Sequence, residues 1–101
     1  MANLTGLEKS VAEALRLSDT AAEKLQTTIR RNILTARAEL IRSGVPAVLA
    51  ESQDPLVEDA VITFCLYKMD DESMTERHWS AFEYQQDNLR KSTIKEPENE
   101  E

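Results

Sequence analysis

The stretch DPLVEDAVITF, residues 54–64, contains a helix start followed directly by an apolar helix face. Asp54 can accept backbone N–H bonds as an N-cap, and Pro55 suits the first helical turn, where its missing N–H costs nothing. Apolar and aromatic residues then recur three or four positions apart, on one side of a helix: Val57, Ala60, Val61, Phe64 and Tyr67. The sequence therefore predicts a helix from Pro55 to about Met69 with one buried face.

A first helix is predicted near the N-terminus. Thr5 and Glu8 have the spacing of a capping box, in which each side chain accepts a bond from the backbone N–H of the other residue. Apolar residues after them recur at helical spacing, so this short amphipathic helix is expected to end near Leu17.

The second predicted helix is the longest of the chain. Thr20 and Glu23 repeat the capping-box spacing, and aliphatic residues then recur at helical intervals as far as residue 40. The helix is expected to end at Ser43, because Gly44 can adopt the left-handed conformation that often follows a helix and Pro46 cannot continue it.

A fourth helix and a tail are predicted after the helix at 55–69. Ser73 and Glu76 form a third capping-box pair, and helical spacing continues to about Lys91. The last residues are charged and contain Pro97, so they cannot bury enough apolar area to offset the entropy of ordering them. We therefore predict one helical domain over residues 1–92 and a disordered acidic tail over residues 93–101.

The composition favours helices over sheets. The chain has 101 residues with only 2 Gly and 3 Pro, which is too short for a second domain and too poor in turn residues for many tight turns. We predict an all-α fold, a small bundle of about four helices with one long central helix. The single Cys65 cannot form an internal disulfide, and no apolar segment is long enough to predict a membrane span.

Charge is divided unevenly along the chain. Residues 1–50 hold seven Lys/Arg and five Asp/Glu, a net charge of +2, whereas residues 51–101 hold five and fourteen, a net charge of −9. This balance lacks the basic footprint that gives nonspecific nucleic-acid affinity, so direct DNA binding is disfavoured. A helix-turn-helix DNA binder is disfavoured as well, because no basic recognition helix is present.

The sequence contains no enzyme motif. It has no glycine-rich phosphate loop, no nucleophile elbow and no metalloprotease or calcium-loop spacing, and we expect no catalytic residue, cofactor or metal. His78 lies near several carboxylates, at Asp70, Asp71, Glu72 and Glu76, so a metal or acid–base site can be imagined there. The favoured interpretation is that His78 borders the core and that the carboxylates compensate the helix dipole.

Cysteine and aromatic residues of the last two helices are predicted mainly to pack in the core. Cys65 lies in an apolar run, where a cysteine usually behaves as a small hydrophobe. Trp79, Phe82 and Tyr84 lie on one helix, but Phe82 and Tyr84 are about 160° apart in helical projection. One of these aromatic side chains is therefore expected to meet a partner.

Three segments together resemble a known family. LRLSDTAAEKLQTTIRRNILTARAELIRSGV, DPLVEDAVITFCLYKM and WSAFEYQQDNLRKS, which lie within residues 14–92, are similar in order and spacing to the small head-tail connector proteins of tailed bacteriophages, also called head-completion or DNA-packaging proteins. The resemblance implies a non-enzymatic adaptor of the virion, assembled in the cytoplasm of the host bacterium. Its copies would form a ring, dodecameric in the virion, below the portal protein, and would receive the next head-completion (stopper) or tail protein. DNA would pass through the channel without specific binding.

The resemblance also implies candidate contact residues. In such proteins the last helix and tail dock onto the portal, which gives Asn88, Leu89, Arg90, Lys91, Thr93 and Ile94 as portal-side candidates. The charge division suggests that the basic face of the second helix on one subunit meets acidic helices of the next. The subunit-interface candidates are therefore Arg30 and Arg31 on one side, with Glu58 and Asp59 on the other.

A different class of protein competes with this interpretation. A small acidic interaction module, such as a DNA-mimic inhibitor or an antitoxin-like protein, would use the carboxylates of residues 51–87 as a phosphate-like surface. Such a mimic needs acids spread over an open face, whereas a third of the acids in the second half lie in the tail or the loop.

Overall fold

The computed structural model describes residues 4–95, with the side chains of residues 4–91. Every regular element in this range is helical, which confirms the predicted all-α class. The elements are α1 (Gly6–Ala14), α2 (Asp19–Lys24), α3 (Gln26–Arg42), α4 (Ala47–Ala50), α5 (Pro55–Met69), a 3-10 turn (Glu72–Met74) and α6 (Thr75–Lys95). None of the helices in the described part of the chain is long and apolar enough to cross a membrane.

Helix α5 lies at the centre of the fold and packs against α1, α3 and α6. Its predicted apolar face is confirmed, and the residues buried in α5 are Val57, Ala60, Val61, Phe64 and Cys65. The neighbouring helices complete the core with Val11 from α1, Ile29, Ala36 and Leu40 from α3, and Phe82 and Leu89 from α6. The central helix is therefore α5, not the predicted second helix.

Aromatic rings join α5 to α6. The centroids of Phe64 and Phe82 lie 5.2 Å apart, and those of Tyr67 and Trp79 lie 4.9 Å apart, each pair in a tilted arrangement that suits the quadrupoles of the rings. Phe82 is fully buried, whereas Tyr84 is 70% exposed. The predicted division between a core aromatic and an exposed aromatic on this helix is confirmed.

Three of the predicted helix ends are confirmed. Thr5 and Glu8 form the capping box of α1, and the Asp54 carboxylate accepts the N–H of Leu56 at 2.8 Å at the start of α5. Gly44 has φ +117° after α3. The Val45 N–H donates to the Leu40 carbonyl and the Gly44 N–H to the Ile41 carbonyl, each at 3.0 Å, which forms a Schellman motif.

The second predicted helix is wrong in its start and its length. A break at Leu25, with φ −98° and ψ 7°, divides it into α2 and α3. Ser18, not Thr20, caps α2, because the Ser18 hydroxyl accepts the N–H of Ala21. The aliphatic spacing runs through both helices, so the sequence pattern contains no sign of the break. As a result α3 has 17 residues, and the longest helix is α6 with 21 residues.

The last helix differs from the prediction at both ends. The Ser73 hydroxyl bonds to the Asp71 carboxylate in the 3-10 turn rather than capping α6 with Glu76, and α6 begins at Thr75. Helix α6 continues to Lys95, so residues 93–95 extend the helix instead of beginning the tail. Residues 96–101, which hold the rest of the predicted tail, lie outside the described range.

The connection between α3 and α5 contains the short helix α4. Two Arg37 hydrogen bonds hold this connection, since its guanidinium donates to the carbonyl oxygens of Ala50 at 2.7 Å and Ser52 at 3.0 Å. Leu49 is half-buried against the core, whereas Val48 is 87% exposed. The connection therefore adds an apolar side chain to the surface as well as to the core.

Candidate interaction surfaces

One side of α3 forms an apolar and basic surface, which we call the α3 face: Arg31, Leu34, Ala38, Ile41 and Arg42. All five are exposed, and they fall within an arc of about 100° in helical projection, opposite the core residues of the same helix. Leu34 is 65% exposed and lies two turns from Ile41. Because the core does not need these two aliphatic side chains, they are available to a partner.

A second surface lies where α5 and α6 meet. Here a cavity of about 120 Å³, which we call the α5–α6 pocket, is lined by Leu56, Asp59, Gln85, Asn88 and Leu89. Leu89 is buried and Leu56 is largely exposed. Tyr84 lies one helical turn before Asn88, so its exposed ring adds aromatic surface on this side of α6.

One residue that lines the α5–α6 pocket has a side-chain atom without a hydrogen-bond partner among the described residues. The Gln85 Oε1 atom is buried and accepts no hydrogen bond from the described residues. A buried acceptor left unpaired costs roughly 1–3 kcal/mol.

Arg30 is engaged within the chain, by Glu8. Its Nε donates to Oε2 of Glu8 at 2.9 Å, and Gln26 donates to Oε1 of the same carboxylate. Glu8 is only 4% exposed. The Arg30 hydrogen bond is the main reason that the pKa of Glu8 lies below its usual value, although burial acts in the opposite direction, and the Glu8 carboxylate in turn raises the pKa of Arg30.

The structure separates the four subunit-interface candidates into two groups. Arg30 and Glu58 line the same cavity, together with the first turn of α1 and with Arg37. Arg31 lies on the α3 face, and Asp59 lies at the α5–α6 pocket. The first pair is thus placed together within one chain, whereas Arg31 and Asp59 remain on two separate surfaces.

The portal-side candidates occupy different environments. Asn88 is exposed at the α5–α6 pocket, but Leu89 belongs to the core and could contact a partner only through the pocket or after repacking. Asp87 pairs with Arg90 at 2.6 Å and with Lys91 at 3.0 Å. The hydrogen bond from Lys91 is the main reason that the pKa of Asp87 is lowered.

Thr93 and Ile94 belong to the backbone of α6, but their side chains lie outside the described range. They share the last turns of α6 with Lys91, which is exposed. The portal-side candidates whose side chains are described therefore present Asn88 and Lys91 to solvent.

The acidic region around His78 forms a hydrogen bond rather than a metal site. The His78 Nε2 and Asp70 Oδ2 atoms lie 2.8 Å apart, and this bond lowers the pKa of Asp70. Among the described residues no group of His, Cys, Asp and Glu has the arrangement of a metal site. Cys65 is buried, and desolvation raises its pKa to about 12, so its thiol stays protonated and unreactive in the folded protein.

Sequence reasoning missed two features that depend on contacts between distant parts of the chain. The capping-box spacing predicted a local role for Glu8 but not its contact with Arg30, which is 22 positions away. The unpaired Gln85 acceptor depends on the packing of α6 against α5, and no sequence pattern reports it.

Comparisons with known protein families, with curated proteins and with solved structures found no match to this chain. Arguments about its function therefore depend on its own sequence and surfaces.

Proposed function

We propose that the chain is a structural head-tail connector of a tailed bacteriophage. In this role its copies form a ring, dodecameric in the virion, below the portal protein. The ring extends the DNA channel and joins the head to the next head-completion or tail protein. The protein assembles in the host cytoplasm, acts at the head-tail interface and catalyses no reaction.

The observation that carries this proposal is the presence of two unlike exposed surfaces on one small helical unit. A ring is built from heterologous contacts, in which one surface of a subunit binds a different surface of the next. The α3 face is apolar and basic, whereas the α5–α6 pocket is apolar with one carboxylate. The sequence resemblance described above gives the biological setting.

The end of α6 is the proposed portal-binding region. Asn88 and Lys91 are exposed there, and the helix continues through Thr93 and Ile94. An isolated aliphatic residue such as Ile94, in an otherwise polar segment, suits a contact that forms only on assembly. The excess of acids in the second half of the chain also suits a channel through which duplex DNA slides, because it would repel phosphates.

The acidic interaction module is less well supported. Such a mimic needs free carboxylates on an open face, but Asp70 and Asp87 already bond to His78 and to Arg90 and Lys91. Pairing of this kind reduces the acidic surface of residues 51–87, so we favour the connector.

The test is to mix the purified protein with portal rings from the same genome and to examine the mixture by negative-stain microscopy and light scattering. We expect rings or portal-bound copies. Lys91→Glu should weaken portal binding, whereas Lys24→Glu, an exposed lysine at the end of α2, should not. A monodisperse monomer that ignores the portal would contradict the proposal and would direct the search to a soluble partner.

A further inference from the structure

We propose that the α5–α6 pocket binds the α3 face of a second copy of this chain, with Arg31 of one copy facing Asp59 of the other. This inference rests on the proposed function, because it identifies the subunit contact of the ring. The contact itself is argued from three kinds of complementarity between the two surfaces.

The apolar parts of the two surfaces match. Leu34 and Ile41 project from the α3 face, and the pocket offers Leu56 at its rim and the side of Leu89 at its base. Leu34 and Leu56 are both more than half exposed, so each has apolar area left to bury. Removing this area from water favours association.

The charges of the two surfaces are opposite. Arg31 and Asp59 form no ion pair within residues 4–91, whereas Arg30 and Arg42 of the same helix are paired with Glu8 and Glu39. Among the described residues, Asp59 is the only charged one that lines the pocket. An arginine entering from another copy would meet an opposite charge there, which favours this orientation over others.

The hydrogen-bonding groups complete the match. The Asp59 carboxylate and the oxygen of the Asn88 amide are acceptors at the pocket, and both residues are exposed. The guanidinium of arginine has five N–H donors and no acceptor, so it fits an acceptor-rich pocket. Arg31 lies one helical turn from Leu34 on the α3 face. It is therefore the residue of that face best suited to supply these N–H donors.

The two surfaces are different, and therefore the contact is head-to-tail. Each copy that has bound one neighbour through its pocket still offers a free α3 face to another. Such contacts close into a ring when the rotation between copies allows it, and otherwise continue as a chain. Assembly beyond a dimer is the expected consequence.

The test measures self-association of the full chain by sedimentation velocity. We expect wild type to form species larger than a dimer, and Arg31→Glu and Asp59→Arg each to weaken association at least tenfold. An equimolar mixture of the two variants should recover assembly, because the original charge pair and the charge-reversed pair can both form between unlike copies. The double variant, Arg31→Glu with Asp59→Arg, should recover assembly.

Two matched controls and a fold measurement accompany these variants. Glu13→Arg and Lys24→Glu reverse exposed charges on α1 and α2, away from both surfaces, and should leave association unchanged. Circular dichroism of every variant shows whether it has folded. Single variants that assemble like wild type would overturn the proposed contact.

Separate measurement of portal binding distinguishes failure of this contact from failure of the proposed function. If wild type stays monomeric up to about 1 mM, the proposed contact is overturned even if the protein binds the portal. Only very weak association would escape detection in that range. A wild type that assembles through the two surfaces but ignores the portal would instead overturn the connector.

Discussion

Helices α5 and α3 differ in how much of their side-chain surface is buried in the core. Helix α5 contacts three other helices, and its core side chains, such as Val57 and Phe64, are almost completely buried. Helix α3 buries one side through residues such as Ile29 and exposes Leu34 on the other. The sequence of α5 is thus determined mainly by packing, whereas half of α3 is free for another role.

The largest expected difference is in the cost of removing an apolar side chain from each helix. Phe64→Ala removes a ring that packs against Tyr67 and Phe82, so it should lower the free energy of unfolding by about 3–5 kcal/mol. Leu34→Ala removes an exposed side chain and should change it by less than about 0.5 kcal/mol. Urea denaturation, repeated at two protein concentrations so that any contribution from association is visible, measures both.

If Phe64→Ala and Leu34→Ala lowered the free energy of unfolding equally, the proposed difference between α5 and α3 would be contradicted. Such a result would mean that Leu34 packs against the chain's own residues in solution, and the α3 face would then not be available to a second copy. Equal slopes of the denaturation curves would show that both variants unfold the same amount of surface.

The sequence predicted α5 better than α3 for a physical reason. Asp54 and Pro55 define a start by local chemistry, and the apolar face of α5 repeats at one helical period without interruption. The aliphatic spacing of α2 and α3 runs through the break at Leu25, so local spacing did not reveal it.

The candidate surfaces were predictable only in part. Helical projection predicted that Phe82 and Tyr84 could not both be buried, and the structure shows that Phe82 is the buried one. The partners of Arg30 and the unpaired Gln85 acceptor depend on contacts between distant parts of the chain. Charge alone therefore predicted one role for Arg30 and Arg31, at the subunit interface. The fold instead pairs Arg30 with Glu8 and leaves Arg31 on the α3 face.

The second prediction concerns the end of α3, which depends on one glycine. Gly44 has φ +117°, and a Cβ atom there would lie 3.2 Å from Cδ of Arg90 in α6. Gly44→Ala should therefore lower the free energy of unfolding by about 1–2 kcal/mol, because an L side chain is strained in this conformation. Thermal unfolding followed by circular dichroism measures the change.

Gly6 supplies the matched control. It is the first residue of α1, and a Cβ there would meet no atom within 4 Å. Gly6→Ala should leave the stability unchanged or raise it by up to about 1 kcal/mol, because alanine restricts the unfolded chain. Equal losses for both variants would show that the end of α3 does not need its left-handed residue.

The smallest expected effect concerns Glu8 of α1, whose carboxylate pairs with Arg30 of α3. Glu8→Gln keeps the capping box but removes the charge that pairs with Arg30, and should cost about 1 kcal/mol at neutral pH. Because the folded pKa of Glu8 lies below its ordinary value of 4.5, its contribution is present above that pH and is lost as pH falls through the folded pKa. The difference between wild type and Glu8→Gln should therefore shrink toward zero in acid. Urea denaturation across the acid range measures it.

Glu39→Gln is the control for this titration, since Glu39 pairs with Arg42 on the outer side of α3 and its pKa is lowered in the same direction. That pair is three residues apart on one helix and its arginine is largely exposed, so the loss at neutral pH should stay below about 0.5 kcal/mol. A pH-independent loss for Glu8→Gln would mean that the amide disturbs packing rather than charge. If Glu8→Gln and Glu39→Gln lowered the free energy of unfolding equally, the contact between α1 and α3 would stabilise the fold no more than a surface ion pair does. Arg30 would then be as available to a partner as Arg31.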